Sequence, residues 1–146
     1  MSKSAISKRR SASKAAVASW QLAQTFWVGG LWLLYFVVLP GLGKIGLAEL
    51  LVEEVSATLG PLLIAFAAFC ACLQVLVLLQ AEGLASLWRD QRGQLLLAVL
   101  ALSAVYLSVW QWLPGVPRWL LFNYLLVAFC GVLLVLQPLP GQRATR

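Results

Sequence analysis

The chain has no histidine, and its only methionine is Met1. The commonest transition-metal ligand and the usual general base are therefore missing, along with the thioether sites that hold copper. Acidic side chains are scarce. Glu49, Glu53, Glu54, Glu82 and Asp90 are all of them, and none falls inside a hydrophobic run. Cysteine is limited to Cys70, Cys72 and Cys130, an odd number set in apolar surroundings, which excludes a disulfide framework. Charged residues make up 11% of the chain, against about 25% in a soluble domain. With no Ser/His, Cys/His or paired-carboxylate arrangement, no catalytic residue, cofactor or metal site is assigned, and a non-enzymatic protein is expected. Proton-coupled transporters and pumps bury ionisable relays, which these apolar runs do not contain.

What is abundant is apolar surface, at 62% of 146 residues. A soluble fold of this size cannot hide so much, so the bilayer is the expected solvent. About 20 apolar residues cross a hydrocarbon core. Four runs meet that length, at about 16–40, 57–80, 94–113 and 118–137, uncharged except for Arg118 at the start of the last. They are too long and too evenly apolar for barrel strands, so the expected fold is all-α: an integral membrane four-helix bundle over 16–138. Residues 1–15 are expected as a disordered basic tail and 139–146 as a second short tail. The acid-free, Ser- and Arg-bearing start also has the composition of a transit peptide, but a spanning helix follows it directly. Residues 41–56, GLGKIGLAELLVEEVS, carry Glu49 and Glu53 four apart and read as an amphipathic interfacial segment running into the second span. Pro61 is expected in the first turns of that span, where a missing N–H is tolerated. Residues 81–93 read as a polar connection. Pro114, Gly115 and Pro117 leave so short a link that the last two spans must be antiparallel neighbours.

Lysine and arginine set the expected orientation. Lys3, Lys8, Arg9, Arg10, Lys14, Arg89, Arg92, Arg143 and Arg146 fall on one side of such a bundle, and only Lys44 and Arg118 on the other. The positive-inside rule then puts both termini in the cytoplasm, making a multi-pass protein of the bacterial inner membrane. Trp110, Trp112 and Trp119 cluster at the outer interface of this arrangement, and Trp20 and Trp88 near the inner one. The basic tail is short and Ser/Ala-rich rather than a folded basic face, so nucleic acid is not an expected partner.

Each span carries one less greasy row. In the first, Gln21, Thr25, Trp32 and Tyr35 follow helical spacing, with Gln24 beside them and Gly29–Gly30 at mid-span. In the second, Ala67, Cys70, Ala71 and Gln74 form a narrow stripe. In the third, Ala101 and Ser108 share one row, and Ala104 and Gln111 the next. In the fourth, Asn123, Cys130 and Gln137 recur at sevens. Lipid gives helices no hydrophobic reason to associate; small residues and amides do, at roughly 0.6–2 kcal/mol per interhelical hydrogen bond. These rows are read as packing seams, with a polar path for a small ligand as the alternative. The expected partners are the bilayer itself and, through such seams, a second copy or another membrane protein. Cys70 and Cys72 point about 200° apart on a helix and cannot chelate one ion. Cys70 and Cys130 could meet, but two thiols make an incomplete site.

The stretches WQLAQTFWVGGLWLLYFVVLP (20–40), LLIAFAAFCACLQ (62–74) and RWLLFNYLLVAFCGVLLVLQP (118–138) resemble a small bacterial inner-membrane family grouped with the transmembrane protein 205-like domain. The resemblance covers roughly residues 16–138. It implies a four-helix bundle of unknown activity, and, through eukaryotic relatives linked to platinum-drug resistance, metal or drug handling as a theme. It implies no catalytic residues. The expected role is therefore a structural or accessory component acting by helix–helix contacts, with a small transporter or resistance protein as the alternative.

Overall fold

A computed structural model describes residues 3–46, 48–113 and 115–137. The described residues are almost entirely helical. Helix α1 spans Lys3–Leu33 and passes through a π-helical segment, Leu34–Val38, into the short α2, Leu39–Lys44. Helix α3 spans Glu49–Glu82, α4 Leu84–Arg89, α5 Gln91–Trp112 and α6 Pro117–Val135. Among the described residues, four stretches are long and apolar enough to cross a membrane: Lys14–Lys44, Glu49–Gln80, Gln91–Trp112 and Pro117–Val135. Helices α5 and α6, with 22 and 19 residues, come to about 33 and 28 Å, close to a hydrocarbon core. Helix α3, with 34 residues, reaches about 50 Å, so its acidic first turns extend past such a core.

Several details depart from the sequence-based expectations. The basic segment expected as a disordered tail continues α1 back to Lys3. It is built from Ala, Ser, Lys, Arg and one Ile, with no Gly or Pro before Gly29, so a helix nucleated in the apolar run propagates into it. Pro61 is not in a first turn. The acidic segment is already helical from Glu49, which makes Pro61 an interior, buried residue of α3 and removes the helical donor for the Ala57 carbonyl. The 81–93 connection is not simply polar coil. Gly83, at φ 82°, breaks the chain, and α4 then folds back on α5 with Leu87 buried. The π-helical segment lies just before Pro40, whose missing N–H removes the α-helical donor for the Phe36 carbonyl. The wider turn is closed by Leu39 N–H donating to the Leu34 carbonyl. The C-terminal stop at Pro138, Pro140 and Gly141, and the 139–146 tail, lie outside the described residues.

Helix α3 packs against α1 and α5, and α6 packs against α5 and α1, closing a ring in which sequence neighbours run in opposite directions. The inward faces are plain. Trp20, Gln24, Trp27, Leu31 and Leu34 follow one row of the first long helix, and Ile64, Ala67, Cys70, Ala71, Gln74 and Leu78 one of α3. Leu96, Val99, Ser103 and Tyr106 do so on α5, and Asn123, Tyr124, Val127, Ala128 and Leu134 on α6. The outward surface is Leu, Phe and Val, including Phe26, Phe66, Phe69, Phe122 and Phe129.

Candidate functional site

Two interior features carry polar chemistry. The first is centred on Gln74, which is 1% exposed. Its carbonyl oxygen accepts from Trp27 Nε1 at 3.3 Å, and its amide donates to the Trp20 carbonyl at 3.3 Å. Gln74 thus clamps two turns of α1 and spends its amide on structure. Trp32 Nε1 donates to the Ala128 carbonyl at 3.3 Å, and the Tyr124 hydroxyl to the Leu31 carbonyl at 2.7 Å, joining α1 to α6 in the same way. Gln24 Nε2, Ser103 Oγ and Asn123 Oδ1 are buried without a hydrogen-bond partner among the described residues.

The polar rows read from the sequence divide into two groups. Gln24, Cys70, Gln74 and Asn123 face the interior, and Gly30 and Cys130 are half-buried. A Cβ at Gly30 would meet Leu63 at an ordinary 3.6 Å, so the α1–α3 contact there does not require glycine. Gln21, Thr25, Gly29, Ser108 and Gln111 are exposed, together with Ala101 and Ala104. The expectation that the small and polar row of the third span turns inward is therefore corrected: α5 buries the opposite row. In lipid a small and polar row can serve an outside neighbour as well as an inside one, so its composition does not fix which way it faces. Thr25 Oγ1 donates to the Gln21 carbonyl within its own helix at 2.8 Å and needs no neighbour. Gln111 lies one residue from the end of α5, where water can reach it. The three cysteines are free thiols, and no group of three or more Cys, Asp or Glu able to hold a metal occurs among the described residues.

The second feature is a cleft of about 270 Å³ at the end of the ring where α1 stops and α3 starts. All four long helices contribute to it. Tyr35 comes from the π-helical segment, Glu53 and Ser56 from the first turns of α3, Tyr106 and Trp110 from the last turns of α5, and Tyr124 from α6. These are all three tyrosines of the chain. Tyr35 and Tyr124 face each other with ring centroids 5.7 Å apart. Gly60 lets the Tyr106 ring in, since a Cβ there would stand 3.0 Å from the Tyr106 hydroxyl. Sequence reasoning missed this site because it followed small and amide residues. The usable signal was that every tyrosine falls in the same half of the bundle, where an apolar ring with a polar tip can reach toward an interface.

Comparison with family models, curated proteins and solved structures gives no match, so neither a family nor an activity is transferred to the chain.

Proposed function

We propose that the chain is a multi-pass protein of a bacterial cytoplasmic membrane, a four-helix bundle with both termini on the cytoplasmic side. In this reading it acts without catalysis, through helix–helix contacts with a second copy or another membrane protein. The observation that carries it is the outward row of α5. Ala101, Ala104, Ser108 and Gln111 are exposed on a helix otherwise suited to lipid. Small residues there permit close backbone approach, and the hydroxyl and amide offer hydrogen bonds to a second helix. Gln74 and the indoles of Trp27 and Trp32 support the same view, because they are spent on internal bonds. A small transporter or resistance protein would need its polar groups to line one path. Gln24, Gln74 and Asn123 are interior, whereas Gln111 is outside.

Two tests follow from this reading, both in a background freed of Cys70, Cys72 and Cys130. With Ser108→Cys, bifunctional crosslinking in native membranes is expected to give a discrete dimer or a single hetero-adduct, and Leu76→Cys on α3 none. Equal, diffuse crosslinking at both positions would sink the seam. For orientation, helix directions alternate, so Arg89 and Arg92 lie at the end where α1 begins, and Lys44 and Arg118 at the other. Glu54→Cys is expected to react with an impermeant maleimide from outside the cell, and Asp90→Cys only after lysis. Outside labelling of position 90 would reverse the topology.

A further inference from the structure

We propose that the tyrosine-lined cleft binds an alkylammonium group, supplied either by a small free organic cation or by a phospholipid headgroup. This goes beyond helix contacts and does not depend on them. Three observations converge. The cleft presents four aromatic rings from three stretches of helix, Tyr35, Tyr106 and Trp110 of α5, and Tyr124, around one space of about 270 Å³. Aromatic faces attract ammonium groups through the ring quadrupole, and several rings around one space make the cage that selects them. Glu53 sits on the same lining and makes no ion pair among the described residues, so a carboxylate is available beside the cage. No cationic residue lines the cleft to compete with a ligand. Finally, Tyr106 is 6% exposed, and its hydroxyl has no hydrogen-bond partner among the described residues. Ser56, also on the lining, makes no side-chain hydrogen bond either. These unspent hydroxyls suit a ligand carrying an oxygen or an N–H near its charge.

The chemistry excludes other occupants. An anion would meet Glu53 and the electron-rich ring faces, and both repel it. A bare hydrocarbon would leave the Tyr106 hydroxyl buried and unpaired, a cost that a polar ligand removes.

The test uses the full chain in nanodiscs of phosphatidylglycerol, a lipid without an ammonium group, with empty discs as background. Choline is titrated against its uncharged carbon isostere, 3,3-dimethylbutan-1-ol, by calorimetry. Saturable choline binding is expected, with the isostere at least tenfold weaker. Glu53→Gln and Trp110→Leu alter exposed positions, so the bundle persists, and each is expected to weaken choline binding about tenfold. Discs containing phosphatidylcholine separate the two sources. Loss of choline binding there identifies the lipid headgroup as occupant, and unchanged binding identifies a free cation. No saturable binding in phosphatidylglycerol discs, an isostere that binds equally well, or a Glu53→Gln variant of unchanged affinity would each overturn the proposal.

Discussion

Gly93→Ala is expected to destabilise the bundle by about 1–3 kcal/mol, the range for forcing extra volume into a packed contact. Gly93 lies in the first turn of α5 and is buried against α4. A Cβ at this position would stand 2.5 Å from the Cα and carbonyl oxygen of Leu87 and 2.8 Å from its carbonyl carbon. These are backbone atoms, so no side-chain rotation relieves the clash. The hook Leu84–Arg89 must move as a unit, which pulls the buried Leu87 from its place and lengthens the 3.0 Å bond from Gln94 Nε2 to the Trp88 carbonyl. Alanine gains about 1 kcal/mol over glycine in helix propensity, so two effects compete, and the backbone overlap wins. Gly29→Ala is the matched control. It is the same substitution within a long helix, but Gly29 is exposed, and a Cβ there meets nothing within 4 Å. That variant is expected to be neutral or slightly stabilised. Thermal unfolding in detergent, followed by the loss of the monodisperse peak, ranks the three proteins. Equal midpoints for Gly93→Ala and wild type would show that α4 is not held against α5.

The four long helices were legible because each apolar run reaches about the length that lipid demands, and the chain breaks at Gly83 and after Trp112, beside Pro114 and Gly115. The faces were only partly legible. On α3 the row Ala67, Cys70, Ala71 and Gln74 is interior, where small residues admit the tryptophans of α1 and Gln74 bonds to them. On α5 the same logic selected Ala101, Ala104, Ser108 and Gln111, which face outward, while Leu96, Val99 and Tyr106 fill the ring. In water a burial pattern marks the inside. In lipid both surroundings are apolar, so a leucine row does not say which way it points, and a small row can serve an internal or an external neighbour. The cleft was hidden for a different reason. Tyr35, Tyr106 and Tyr124 lie far apart in sequence, and only the packing of the helices brings them together.

A tight meeting of α1 and α6 yields the second large effect, at Gly131. A Cβ here would stand 2.8 Å from Val28 Cγ2 and 3.0 Å from two carbons of the Trp27 ring, Cη2 and Cζ3. Side chains often yield to such pressure, but these two have little room. Trp27 is 1% exposed and anchored by its Nε1 to Gln74, so swinging the indole breaks that bond. Val28 is β-branched, with one strongly preferred rotamer in a helix. The remaining outlet is to separate the helices, which strains the bonds from Trp32 to Ala128 and from Tyr124 to Leu31. Gly131→Ala is therefore expected to cost about 1–3 kcal/mol, and Gly131→Leu to prevent assembly of the monodisperse protein. Val28→Ala removes the nearer of the two obstacles and leaves the Gln74 anchor intact. In the double variant the two substitutions should be less than additive, with part of the Gly131→Ala loss recovered, because they share one contact. Strict additivity in the same thermal assay would mean that α1 and α6 do not meet at Gly131, and the ring would then have to be open along that side.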